Sequence, residues 1–92
     1  MNQKEVKIVI CTFPNMEKAR QIGTVMVRAQ LVACVNFIPK IQSIYCWEGK
    51  LEEEEVMAVF KTSAARYSEL EAKITEMHPY ELPEIVVVDL AG

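Results

Sequence analysis

The side chains that could do chemistry in this sequence are three cysteines, Cys11, Cys34 and Cys46, and a single histidine, His78. Thiolates and imidazole are soft or borderline donors, a set that suits copper or zinc. No two of them form a CxxC or HxxxH pair, so spacing alone assembles no site. Cys34 and Cys46 share one face of a straight strand but stand about 40 Å apart along it, too far to hold one ion within a chain. Sharing across a subunit boundary stays open. The plainer reading of Cys11 and Cys34 is small buried hydrophobes in strands, the common fate of free cysteine. His78 reads first as a helix-end residue, and Cys46, beside Trp47, as an exposed thiol.

Catalytic templates are absent from the pattern. His78 has no serine or cysteine nearby in a triad setting. Gly23, Gly49 and Gly92 are the three glycines, and they make neither a phosphate loop nor a dinucleotide fingerprint. Paired carboxylates occur in the run Glu52-Glu53-Glu54-Glu55, which reads as a solvated edge and leaves open a role for cations. The residues therefore point away from an enzyme. Tyr45, Trp47 and Tyr80 are the other conspicuous side chains. Tyr45 and Trp47 share strand parity, and large aromatics with a polar handle favour interfaces over a ligand cage.

These residues hang on a long β-ribbon, Val32 to Lys61, with Glu48-Gly49 as its expected turn. Its first arm, Val32 to Cys46, would reach roughly 50 Å as one strand. A compact chain of this length has a radius of gyration of about 12 Å and a diameter of roughly 32 Å. The ribbon must bend, break at Pro39, or project. A projecting apolar ribbon needs a partner to cover its edges. Ile44, Val35 and Phe37 join Tyr45 and Trp47 as the expected contact surface.

Around the ribbon, Val6 to Phe13 (VKIVICTF) reads as a strand ended by Pro14. Asn15 suits a helix N-cap with Glu17 in the first turn. Ala19, Ile22, Met26 and Ala29 then mark one buried helical face to about Gln30. Gly23 within it signals close packing on the sheet. Ser63 or Thr62 caps a second helix with Tyr67, Leu70, Ile74 and Met77 on its apolar face, stopped by His78-Pro79. Tyr80 to Glu84 reads as a loop. Ile85-Val86-Val87-Val88 reads as a central strand buried on both sides. The order βαββαβ is the ferredoxin-like arrangement: an α+β fold with two helices on one face of a four-stranded antiparallel sheet.

Ninety-two residues make one domain, residues 1–92, with a modest core that oligomerisation would enlarge. Half the residues are hydrophobic and a quarter charged, an ordinary globular balance. The net charge of −3 argues against nucleic acid, which needs a basic face. No run is long enough to span a bilayer and no signal peptide is visible. An odd number of cysteines suits a reducing cytoplasm.

Several motifs resemble the CutA family of divalent-cation tolerance proteins. They are Leu31-Val32-Ala33-Cys34-Val35-Asn36 with Ile38-Pro39, Ser43-Ile44-Tyr45, Trp47-Glu48-Gly49-Lys50, Lys61-Thr62, and His78-Pro79-Tyr80-Glu81 with Pro83-Glu84. The resemblance implies a ferredoxin-like protomer, similar to the PII signal proteins, assembled as a cytoplasmic homotrimer through its ribbons. It also implies copper(II) or another divalent cation as ligand, and a part in the response to metal ions. Metal binding carries over to Cys34, Cys11 and His78, with Glu48 and Glu84 as hard supplements; Cys46 inherits no role. An alternative is a PII-like module holding a small anionic metabolite between subunits, with Lys50, Lys61 and Tyr80 in the cleft. A structural trimer acting through protein partners is a third reading. Two departures stand out: the family usually continues past Gly92 into a helical tail, and Leu51 to Phe60 is one residue shorter than usual. Such a deletion would reverse side-chain facing beyond it unless a bulge is lost.

Overall fold

Residues 6–47 and 50–89 are described by a computed structural model, with ribbon side chains described up to residue 44 and from residue 54. The elements run β1 (Val6–Phe13), α1 (Met16–Arg28), β2 (Cys34–Trp47), β3 (Lys50–Ser63), α2 (Ala64–Met77) and β4 (Ile85–Asp89). They form one antiparallel sheet in the order β2-β3-β1-β4. This is the expected βαββαβ fold. The turn expected at Glu48-Gly49 lies outside the described residues.

Local signals set the helix limits. The Asn15 side chain accepts from the Lys18 amide at 2.8 Å, satisfying one of the free N–H groups of α1. Glu17 in the first turn and Arg28 in the last complement the helix dipole. Of the two expected caps for α2, Ser63 serves, accepting from the Arg66 amide. Thr62 instead turns inward and donates to the Leu31 carbonyl at 2.6 Å. Ala29 is exposed, contrary to the expected helical face, because α1 stops at Arg28 and the chain turns through Gln30 at φ 60°.

The two faces of the sheet differ. Val9, Cys11 and Phe13 of β1 share rows with Val56, Ala58 and Phe60 of β3 and point under the helices. Ala19, Ile22 and Met26 from α1 and Leu70 and Ile74 from α2 close this core. Burying each of the larger side chains here contributes about 1.5–3 kcal/mol. At Gly23 an added Cβ would sit 2.8 Å from Phe37 Cζ and 3.2 Å from a Val35 methyl. Glycine is what lets α1 lie this close to β2. The alternate residues, Ile8, Ile10, Met57, Val59, Ile38, Val86 and Val88, occupy the opposite face, which carries no helix among the described residues.

Two expectations change here. Val35 and Phe37 pack against the protomer's own core, so they are not free contact surface. Period-two alternation sends them under α1 and leaves Cys34, Asn36 and Ile38 on the other side. β4 is an edge strand, not a central one: the second crossover sets it outside β1, with Val86 and Val88 42% and 43% exposed.

The ribbon projects. β1 pairs with β3 from Val56 to Ser63 and no further, while β2 follows β3 down to Lys50. The overhang makes the protein 43 × 27 × 21 Å, with a radius of gyration of 13.4 Å. Where the β1 pairing ends, Pro39 and Lys40 of β2 stand against Val56 alone, a β-bulge with Lys40 at φ 58°. A second bulge sets Tyr45 and Cys46 against Leu51. Both irregularities sit on β2, and the pairing of β3 with β1 is unbroken.

Candidate functional site

The H-P-Y-E segment folds back against the end of β1. The peptide after α2 turns extended at His78, as the following proline requires, and this swings the imidazole over the end of β1. The His78 ring stacks on Phe13 at 4.6 Å between centroids and tilts against Tyr80 at 4.7 Å. Nε2 lies 2.7 Å from the Thr12 carbonyl and donates to it; Nδ1 accepts from the Tyr80 amide at 3.0 Å. These partners assign the neutral Nε2–H tautomer. Burial lowers the pKa of His78, with the Thr12 carbonyl and the Glu55 charge pulling the other way.

Glu55 completes the cluster. It sits on β3 one position past the last β1 pairing, and its carboxylate is buried, only 5% exposed. The Tyr80 hydroxyl donates to Glu55 Oε2 at 2.6 Å, the kind of bond a buried carboxylate requires. In the sequence this glutamate reads as part of a solvated run. One signal was available: a tyrosine two residues past the lone histidine, in a loop rich in proline.

Cys11 lies on the helix side, 1% exposed, and its thiol is pushed up to about 12, mainly by burial and then by the charges of Glu55 and Glu84. A thiol held protonated at neutral pH is a poor metal ligand. Cys34 is half-buried on the helix-free face, opposite Lys61. It lies two strands and three residue positions from Cys11, roughly 14 Å away and on the other face.

The expected soft donors therefore do not converge within one chain. Cys11 and His78 belong to the helix side, Cys34 to the other, and both nitrogens of His78 are engaged. Among the described residues, no three His, Cys, Asp or Glu side chains are arranged to hold a metal ion. Glu84 is exposed on the loop before β4. Glu48 and the side chains of Tyr45, Trp47 and Lys50 lie outside the described residues. Ile44 is 82% exposed. Lys61 and Tyr80 do not share a cleft in one chain: Glu55, which holds Tyr80, is six residues along β3 from Lys61, roughly 20 Å.

Comparison with known proteins places this geometry. The family model described as CutA1 divalent ion tolerance protein matches residues 7–92. The divalent-cation tolerance protein CutA of Thermococcus kodakarensis is 40% identical over 87 residues, covering 94% of this chain and 83% of the relative. That of Thermus thermophilus is 37% identical over 86 residues, covering 92% and 84%. The crystal structure of divalent ion tolerance protein CutA1 from Ehrlichia chaffeensis superposes with a TM-score of 0.92 at 28% identity, covering 99% of this chain and 86% of that one. With strand order, ribbon and H-P-Y-E segment all in place, this chain belongs to the CutA1 family of divalent ion tolerance proteins.

Proposed function

We propose that this protein acts in divalent-cation tolerance as a homotrimer that takes copper(II) or another divalent cation as its cargo. One observation carries the assembly: the sheet face formed by Ile8, Ile10, Met57, Val59, Ile38, Val86 and Val88 is apolar, and among the described residues no helix lies over it. An apolar sheet face needs a covering layer, and second copies of the chain supply one. The overhanging ribbon supports the same reading, since its free edges favour pairing with another strand. Free thiols at Cys11 and Cys34 suit the reducing cytoplasm.

Cation binding follows from assembly in this reading. Cys34 lies on the opposite face from Cys11 and His78 within a protomer, so a cation drawing on Cys34 would be held with ligands from adjacent protomers. Cys34, half-buried on the uncovered face, and Glu84, exposed beside β4, are the most available of them. Cys11 and His78 would be supports, given a protonated thiol and an imidazole with both nitrogens in use.

Light scattering on the whole chain tests assembly: a mass three times 10.5 kDa is expected, and a monomer at micromolar concentration overturns it. Equilibrium dialysis of the reduced protein with copper(II) tests the cargo. Cys34→Ser and Glu84→Gln should each lower the bound copper; unchanged stoichiometry in both removes them from the site. A melting shift with a panel of anionic metabolites, and none with copper, would favour the PII-like alternative.

A further inference from the structure

The overhang of the ribbon and the buried Glu55–Tyr80 bond meet at one place. From Glu55 towards Lys50, β3 has lost β1 as a neighbour and, among the described residues, is paired with β2 alone. This outer section of six residues is roughly 20 Å long. A two-stranded ribbon unsupported on either side is marginal and twists readily. Its root is weakened further, because the bulge at Pro39 and Lys40 falls opposite Val56, the last residue of β3 paired with β1. The ribbon thus leaves the globule at a junction where β1 pairing ends and β2 is bulged.

The bond from Tyr80 to Glu55 crosses that junction. Glu55 is the first ribbon residue beyond it, and Tyr80 belongs to the globule through His78, which is fixed in turn to Thr12 of β1. The chain Thr12–His78–Tyr80–Glu55 therefore ties the end of β1 to the base of the ribbon. A buried carboxylate left without this donor would move towards water, and moving it means bending the ribbon.

We propose that the Glu55–Tyr80 hydrogen bond is a latch that sets the angle of the ribbon and thereby permits self-assembly, Tyr80 acting as a positioning residue through Glu55. This rests on the homotrimer reading above. A ribbon free to swing presents its edges in many orientations, and the ordering lost must be supplied at each association. A latched ribbon is already oriented.

The test is Tyr80→Phe in the full chain, which keeps the ring against His78 and removes the hydroxyl alone. Self-association, followed by sedimentation over a dilution series, should weaken about tenfold or more. Backbone amides of the outer ribbon should exchange faster, while those of β1 and α1 stay protected. Glu55→Gln, which still accepts a hydrogen bond, should restore much of the association that Glu55→Ala loses. A wild-type monomer would sink the trimer reading itself. A wild-type trimer with Tyr80→Phe associating equally well would sink the latch alone, as would a lower melting point with no change in association.

Discussion

His78 and Thr12, 66 positions apart in sequence, are joined by a 2.7 Å hydrogen bond from the imidazole Nε2 to the backbone carbonyl. The bond closes the end of the sheet beneath the loop that leads to β4. It also fixes the ring as neutral, because Nδ1 must keep its lone pair for the Tyr80 amide. Burial holds the folded pKa of His78 below the ordinary value of 6.5. The unfolded chain then binds more protons between the two values, so stability rises with pH across that window. The contribution is complete above pH 6.5 and is lost as pH falls through the folded pKa. Melting curves from pH 7.5 to pH 5 should show a decline that His78→Gln lacks. Parallel declines in the two proteins would remove His78 as its source.

Gly23 and Phe37 give a second prediction. A methyl at position 23 would lie 2.8 Å from the tip of the Phe37 ring. Alanine gains about 1 kcal/mol of helix propensity over glycine. Forcing the ring and α1 apart costs about 1–3 kcal/mol. The clash should win narrowly, with Gly23→Ala less stable by about 1 kcal/mol in urea unfolding, and Gly23→Val worse. A stabilised alanine variant would mean that the ring swings aside freely.

The sequence carried the fold well and the site poorly, for separate reasons. Strand and helix periodicity, the Asn15 cap and the His78-Pro79 stop are local signals, and each lies where it reads. Alternation in β2 separates Val35 and Phe37 from Cys34 and Ile38 but does not say which set the helices cover. The run Ile85–Val88 is apolar on both faces, which suits a central strand and equally an edge strand awaiting a partner. The burial of Glu55 depends on Tyr80, 25 residues away, and on where β1 stops. Nothing in the spacing of the four glutamates marks Glu55 for burial.

Parity along β4 allows a sharp test of the uncovered face. Val86 and Val88 point to the side without helices, whereas Val87 packs against the core. Val86→Lys with Val88→Lys should leave a folded protomer, since these positions are already 42% and 43% exposed, but should abolish assembly. A lysine at Val87 should unfold the chain, because its ammonium would lie beneath the helices without a partner. Circular dichroism and light scattering on the same samples separate the cases. A doubly substituted protein that still assembles would show that this face is not the interface.

The thiols report assembly from inside the fold. Cys11 is buried and its pKa is about 12, so at pH 8 almost none of it is thiolate and maleimide labelling should be slow at any protein concentration. Cys34 lies half-buried on the uncovered face, where a second copy would shield it. Its labelling should therefore slow as protein concentration rises, following the association curve, while Cys11 stays unreactive until the chain unfolds. Peptide mapping by mass spectrometry assigns each thiol and keeps Cys46 separate. Labelling of Cys34 that does not change with concentration, in a protein that light scattering shows to be trimeric, would place the interface elsewhere. Fast labelling of Cys11 in the native state would mean that the end of β1 opens, and with it the His78 and Tyr80 contacts that close it.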